Sequence, residues 1–224
     1  LMDRWILSEL NKLIAGVDSA LENFDSQEAG LLLATFIDDL SNWYVRRSRR
    51  RFWDGDPVAL NTLYVCLKNL TLLLAPMVPF ISEHVWQTLV RVAESDQTES
   101  VHLANFPISD KSAIDEKLSS SVGLSRRLVE VGRSARAESG VKIRQPLSRA
   151  LVSASGWENI SDEIKTHIAE ELNILKLDGI HVAGTDLVDI SVKANFRTLG
   201  TKFGADVQVI AKAIAAADPS AMVK

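Results

Sequence analysis

Apolar residues recur every three or four positions through the first 140 residues, and the phase of that recurrence predicts five helices with short connections. Ile6, Leu10, Leu13, Val17 and Leu21 line one face of the first. Asp25 followed by Glu28 resembles a capping box and opens the second, whose stripe is Leu33, Phe36, Ile37, Leu40 and Tyr44. Asp54-Gly55-Asp56-Pro57 is a stop and restart, because Asp56 suits a cap and Pro57 a first helical turn. The third stripe is Leu60, Leu63, Leu67, Leu70 and Leu74, ended by Pro76. Pro79 begins the fourth, which carries Ile81, Val85, Leu89 and Val92. A polar stretch and a short apolar segment then lead to a fifth helix, expected over residues 112–139 with Gly140 as its stop.

After Gly140 the texture changes. Residues 148–153, 175–182 and 187–193 have the short apolar or alternating character of strands. A helix over 159–173 with Ile160, Ile164, Ile168 and Leu172 on one face separates the first two, and 205–217 reads as a further helix. The fold class expected is therefore mainly α: an antiparallel helical bundle over 1–140 followed by a small α/β appendage over 141–224.

Composition adds limits rather than chemistry. Apolar residues make up 46% and charged residues 24%, which excludes a globally disordered chain. The net charge of −4 gives no hint of nucleic acid, yet phosphate contact depends on a local patch and not on the whole-chain sum. Cys66 is the single cysteine, so neither an internal disulfide nor a cysteine-based zinc site is expected, and a cytoplasmic location follows. The apolar runs are shorter than the ~20 residues of a membrane span, so no membrane partner is expected. Leu1-Met2-Asp3-Arg4-Trp5 reads as a helix already under way, as in a part of a longer protein.

Charge distribution changes this picture. Residues 42–53 hold five arginines and no acid. At 100° per residue Arg47 and Arg51 continue the line of Leu33, Phe36, Leu40 and Tyr44, so the core-facing stripe turns cationic in its last turns. A buried arginine needs a partner; a helix protruding past the core would instead present these groups to an anion. The fifth helix repeats the pattern, with Arg136 on the continuation of Ile114, Leu118, Val122 and Val129. Seven basic residues lie between Arg126 and Arg149 against two acids, Glu130 and Glu138. Arginine forks pair with phosphate and stack on bases, and an exposed tryptophan adds stacking surface. The same residues also fit solvated helix ends favoured by the helix dipole, with Glu130 and Glu138 pairing locally and Trp43 in the core.

Asp3-Arg4-Trp5-Ile6-Leu7-Ser8 resembles the opening of the anticodon-binding bundle of class I aminoacyl-tRNA synthetases for large aliphatic amino acids. The segment from Asn42 to Trp53 is similar to the isoleucyl-tRNA synthetase family in particular, whose valyl counterpart usually lacks the arginine run. Leu74-Ala75-Pro76-Met77-Val78-Pro79-Phe80 is shared across the group. Val141-Lys142-Ile143-Arg144-Gln145-Pro146-Leu147 and the segment from Val192 to Gly200 also resemble isoleucyl enzymes. The resemblance implies an anticodon stem-loop-binding module for tRNA-Ile, with no DNA partner, belonging to a chain whose catalytic and editing domains lie elsewhere; the alternatives are the module of a valyl or leucyl enzyme, or a helical interaction scaffold whose basic clusters meet acidic partners. It implies ATP and magnesium in that catalytic domain and no cofactor here, since neither a His-x-Gly-His element nor a Lys-Met-Ser-Lys-Ser loop is present.

No catalytic or metal constellation is expected. Asp38-Asp39 diverges on a helix, and Glu83-His84 lacks the second histidine of a zinc-protease helix. The expected phosphate-binding residues are Arg46, Arg47, Arg50, Arg51, Arg133 and Arg136, then Lys142 and Arg144, with Trp53 stacking. In a simple up-down bundle the second and fifth helices end at opposite poles, which would part the two clusters by about 40 Å.

Overall fold

Helix α1 (Met2–Glu22) buries Trp5, Ile6, Leu10, Leu13, Ile14 and Val17, the period-3.6 face of its sequence, against three other helices. The computed structural model in which it is seen describes residues 1–180, 199 and 203–216. The turn after α1 passes through Phe24 at positive φ. Asp25 then caps α2 (Ser26–Asp38) by accepting from the Glu28 amide at 2.9 Å. Only half of a capping box forms, because the Asp25 amide donates to the Ala20 carbonyl instead. Beyond α2 the helix widens into a π segment, Asp39–Val45, and resumes as α3 (Arg46–Trp53).

Asp56 and Pro57 act as expected: the Asp56 carboxylate accepts from the Val58 amide, and Pro57 is the first residue of α4 (Pro57–Leu74). The most buried face of α4 only partly follows the leucine line, whose Leu63, Leu67 and Leu74 pack at the edge of the core. Ala59, Thr62, Cys66, Leu70 and Leu73 are buried, while Leu60 is exposed. Leucines occur nearly all round this helix, so small side chains that allow close approach decide which face meets α1. α4 has the length and composition of a membrane span. Here it packs in the bundle, with Lys68 paired to Glu94 on its flank.

A similar correction applies to α5 (Pro79–Val85). Pro79 does start it, but Ile81 and Val92 are exposed, and Trp86 and Val90 of the following π segment fill a small second core with Ala75 and Val101. The short α6 (Arg91–Ala93) ends this arm. Residues 94–115 cross back over α1, where the Asn11 side chain accepts from the Asp110 amide. Asp115 then caps α7 (Glu116–Glu138), so this helix starts later than its sequence suggests, and Gly140 ends it at φ +67°.

That crossing sets the direction of α7. Arg126 pairs with Asp38 and Asp39, and one heptad further on Arg133 meets Arg46, so α7 runs parallel to α2 and α3. The expected opposition of the two basic helix ends is therefore overturned: a long connection replaces the tight turn that alternation assumes.

The appendage is a parallel β–α–β unit. β1 (Ala150–Val152) pairs with β2 (Leu177–Gly179) in the register Ala150 to Leu177, and α8 (Asp162–Leu172) is the crossover. Ile164, Ile168 and Leu172 face α7, and they share one hydrophobic cluster with the residues of α1 and α2. The helix α9 (Val207–Ala216) follows a tight turn at Gly204–Asp206. The strand expected over 187–193, the end of the one expected over 175–182, and the motif from Val192, apart from Leu199, lie outside the described residues. Among the described residues the fold is mainly helical with this small α/β unit.

Candidate nucleic-acid interface

The arginine-rich helix end is organised by one buried indole. Trp43, on the π segment, lies beneath three guanidiniums: the Cζ atoms of Arg46, Arg47 and Arg126 sit 5.9, 5.8 and 5.7 Å from its ring centroid. Trp43 is thus both core and platform, though for arginines rather than bases. Its Nε1 is buried without an acceptor.

Above this platform one carboxylate gathers both basic segments. Glu171, at the end of α8, accepts at Oε2 from Arg46 Nη2 at 2.8 Å and from Arg133 Nη2 at 2.5 Å. Its Oε1 accepts from Arg47 Nη1 at 2.7 Å, and Glu170 takes the other Arg47 nitrogen at 3.2 Å. Three helices, α3, α7 and α8, thereby meet at one acidic side chain that is itself 12% exposed. Arg46 and Arg133 remain nearly half exposed and line an open cleft with Asn42, Trp43, Arg126 and Glu130.

The expected phosphate ligands divide on this geometry. Arg47 is 9% exposed and both terminal nitrogens are matched to acids, so it holds α8 against α3 and does not face an incoming anion. Arg51 is likewise engaged: it donates to Asp3 and Asp56, each at 2.8 Å. The Tyr44 hydroxyl donates to the same Asp3 oxygen at 2.7 Å. Burial tends to raise the Asp3 pKa, yet the Arg51 and Tyr44 hydrogen bonds outweigh it and hold this carboxyl below its ordinary value. Arg136 is buried and turned back on its own chain, donating to the carbonyls of Lys142 and Gln145. For these three the protruding-helix expectation is corrected. Arg136 is buried, Arg47 nearly so and Arg51 half-buried, each bonded to acids or carbonyls from segments distant in sequence or beyond the helix end, while Arg47 Nε and Arg136 Nε and Nη1 are buried without a partner among the described residues.

The remaining candidates are exposed. Arg50 is 91% exposed, with only a loose contact to Asp54 at 3.7 Å. Trp53 is 80% exposed, and Arg49 stacks over its ring at 5.9 Å. Lys142 and Arg144 sit on a loop pinned from one side by Arg136 and from the other by the Asn173 amide, which donates to the carbonyls of Ile143 and Arg144. Both side chains are exposed and neither makes an ion pair among the described residues. Sequence reading missed Asn42, Arg49, Arg126 and Glu171. The first three lie inside the basic segments already singled out, whereas nothing local to Glu171 signals its role.

Comparison with known proteins is consistent along the chain. A model of the anticodon-binding domain of tRNA ligases matches residues 3–151. The isoleucine–tRNA ligase of Streptomyces avermitilis is 56% identical over 221 residues, which cover 99% of this chain and 21% of that protein. The isoleucine–tRNA ligase of Thermobifida fusca is 56% identical over 229 residues, covering the whole chain and 21% of that protein. That of Cutibacterium acnes is 55% identical over 218 residues, or 97% of the chain and 20% of the relative. The chain spans about a fifth of the length of the relatives it matches.

Proposed function

The chain belongs to the anticodon-binding domain family of tRNA ligases, and from that premise we propose that it is the tRNA-reading module of an isoleucine–tRNA ligase. Its partner in this reading is the anticodon stem-loop of tRNA-Ile. The observation that carries it is the convergence of Arg46 from α3 and Arg133 from α7 on one exposed cleft, near an exposed helix end with Arg49, Arg50 and Trp53. Guanidinium forks supply phosphate contacts and an open indole supplies a stacking face, the combination that single-stranded RNA loops require. Arg46, Arg50, Arg133, Lys142 and Arg144 are the phosphate ligands, with Trp53 stacking. Arg47, Arg51 and Arg136 support them from within.

Attachment of isoleucine, with ATP and magnesium, belongs in this reading to the catalytic part of the same parent chain, as does editing. The module is cytoplasmic and needs no cofactor of its own. Its task is to hold one end of the tRNA so that the acceptor end reaches the catalytic part.

Filter binding with tRNA-Ile, tRNA-Val and an unrelated structured RNA, each at low and moderate salt, tests the proposal. Binding of tRNA-Ile above the other two, weakening steeply with salt, is the expected result. A preference for tRNA-Val would reassign the amino acid, and no RNA affinity at low salt would overturn the reading.

A further inference from the structure

We propose that Glu171, although acidic, is a positioning residue for RNA binding: it locks Arg46 and Arg133 into one anion-accepting fork. This inference rests on the RNA-binding reading above. A carboxylate at the centre of a cationic face ordinarily opposes a polyanion, because it cancels one positive charge. The geometry here argues for a larger opposite effect.

Both Nη2 atoms bond the same oxygen, Glu171 Oε2, which holds them within about 5.3 Å of each other, the sum of the two bond lengths. Two guanidiniums this close repel, and without a shared acceptor their long side chains would separate and disorder. Glu171 is mostly buried, and its other oxygen is tied to Arg47, so it cannot swing away. The Arg46 side chain has a second restraint, with Nε donating to the Asn42 carbonyl at 3.0 Å. Each fork still has donors to offer. Among the described residues, Arg46 Nη1 and Arg133 Nε and Nη1 make no hydrogen bond, and both side chains are nearly half exposed.

The cleft they border has the Trp43 ring as one wall, with Arg126 paired to both Asp38 and Asp39. Glu130 is a carboxylate on its lining. In the central group three guanidiniums, Arg46, Arg47 and Arg133, meet two carboxylates, whereas the rim sets Arg126 against Asp38, Asp39 and Glu130, so a phosphate contact here rests on directed guanidinium donors and not on net charge. A phosphodiester has two free oxygens, one for each fork. Glu171 thus lowers the ordering cost of a two-arginine phosphate contact, as preorganisation does in other binding sites.

The test sets two charge-equivalent variants side by side. Glu171→Gln and Glu170→Gln each remove one negative charge from the same helix end, but Glu170 is exposed and among the described residues its ion pair is with Arg47 alone. Binding of a tRNA-Ile transcript is measured across a salt series, with thermal melting of each variant. If Glu171 positions the fork, Glu171→Gln binds about tenfold more weakly than wild type, the worth of one charge-assisted hydrogen bond. Its salt dependence falls by about one phosphate contact. Glu170→Gln binds as well as wild type or slightly better.

Tighter or unchanged binding by Glu171→Gln overturns the inference while leaving the RNA reading intact. Should Glu171→Gln not fold, Arg46→Lys and Arg133→Lys decide. Both keep the charge and lose the planar fork, and each is expected to bind severalfold more weakly. Wild-type affinity in both would overturn the proposal. No binding by the wild-type chain would overturn the RNA reading and this inference together.

Discussion

A methyl group at Gly132 would fall 2.5 Å from Cδ1 of Leu172, closer than carbon atoms approach without something shifting. The two residues mark where α7 and α8 touch, and their neighbours Arg133 and Glu171 form one of the ion pairs that link the bundle to the appendage. Absence of a side chain at one position therefore sets the distance over which a charge pair forms at the next.

Gly132→Ala is expected to destabilise the fold by about 1–2 kcal/mol. Overpacking a buried contact costs about 1–3 kcal/mol. Removing a mid-helix glycine returns somewhat under ~1 kcal/mol. Urea unfolding of Gly132→Ala, Leu172→Ala and the double variant checks this. Leu172→Ala alone opens a cavity, so the double variant should be more stable than the two single effects combined imply. Simple additivity would mean that the helices separate freely here.

Neighbouring arginines should behave oppositely. Arg47→Ala strips a nearly buried cation from Glu170 and Glu171, and a loss of about 1–3 kcal/mol is expected. The loss stays below that of a fully orphaned pair because Glu171 keeps Arg46 and Arg133. Arg50→Ala should leave the melting temperature unchanged and weaken tRNA binding. Thermal melting and filter binding on both variants separate the roles; equal melting temperatures would contradict the geometry.

His167 lies on α8 with Arg47, Glu163 and Glu170 around it. Burial, and secondarily the positive charge of Arg47, lower its pKa. A histidine depressed in the folded state binds fewer protons there than in the unfolded chain. Its stabilisation is complete above the unfolded value near 6.5 and is lost as pH falls through the lower folded value. His167→Gln should therefore flatten the decline in melting temperature between about pH 6.5 and 5. An unaltered decline would place the acid sensitivity elsewhere.

Cys66 is fully buried in α4, and burial pushes its thiol up to about 12. Thiolate is the reactive form, so the native chain should resist alkylation near pH 8. Labelling should begin only with unfolding and should follow the denaturant transition seen by circular dichroism. Rapid labelling of the native protein would show that α4 opens locally.

Features that depend on a few adjacent residues were legible in the sequence. The caps at Asp25 and Asp56, the start at Pro79, the stop at Gly140 and the apolar face of α8 all appear in the structure as their local chemistry implies. Faces were legible only where the helix had a single apolar stripe. In α1 the pattern and the buried face coincide, whereas in α4 the leucine line flanks the most buried face and loses Leu60 to solvent, and along α5 and α6 Ile81 and Val92 lie away from the core. Periodicity says that a face is buried; on a helix apolar all round, the packing partner chooses which.

The positive charge shows the same division. Its amount, the concentration of twelve of the 25 basic residues in two segments and the match to a tRNA-ligase family were properties of the chain as written. Which guanidiniums remain available was not, because Asp3, Glu170 and Glu171 reach Arg51, Arg47, Arg46 and Arg133 only after distant segments pack. Helix propensity and capping act over one or two turns, so the sequence alone determines them. The pairing of charges across the molecule depends on the direction in which α7 returns, and only the tertiary structure decides that.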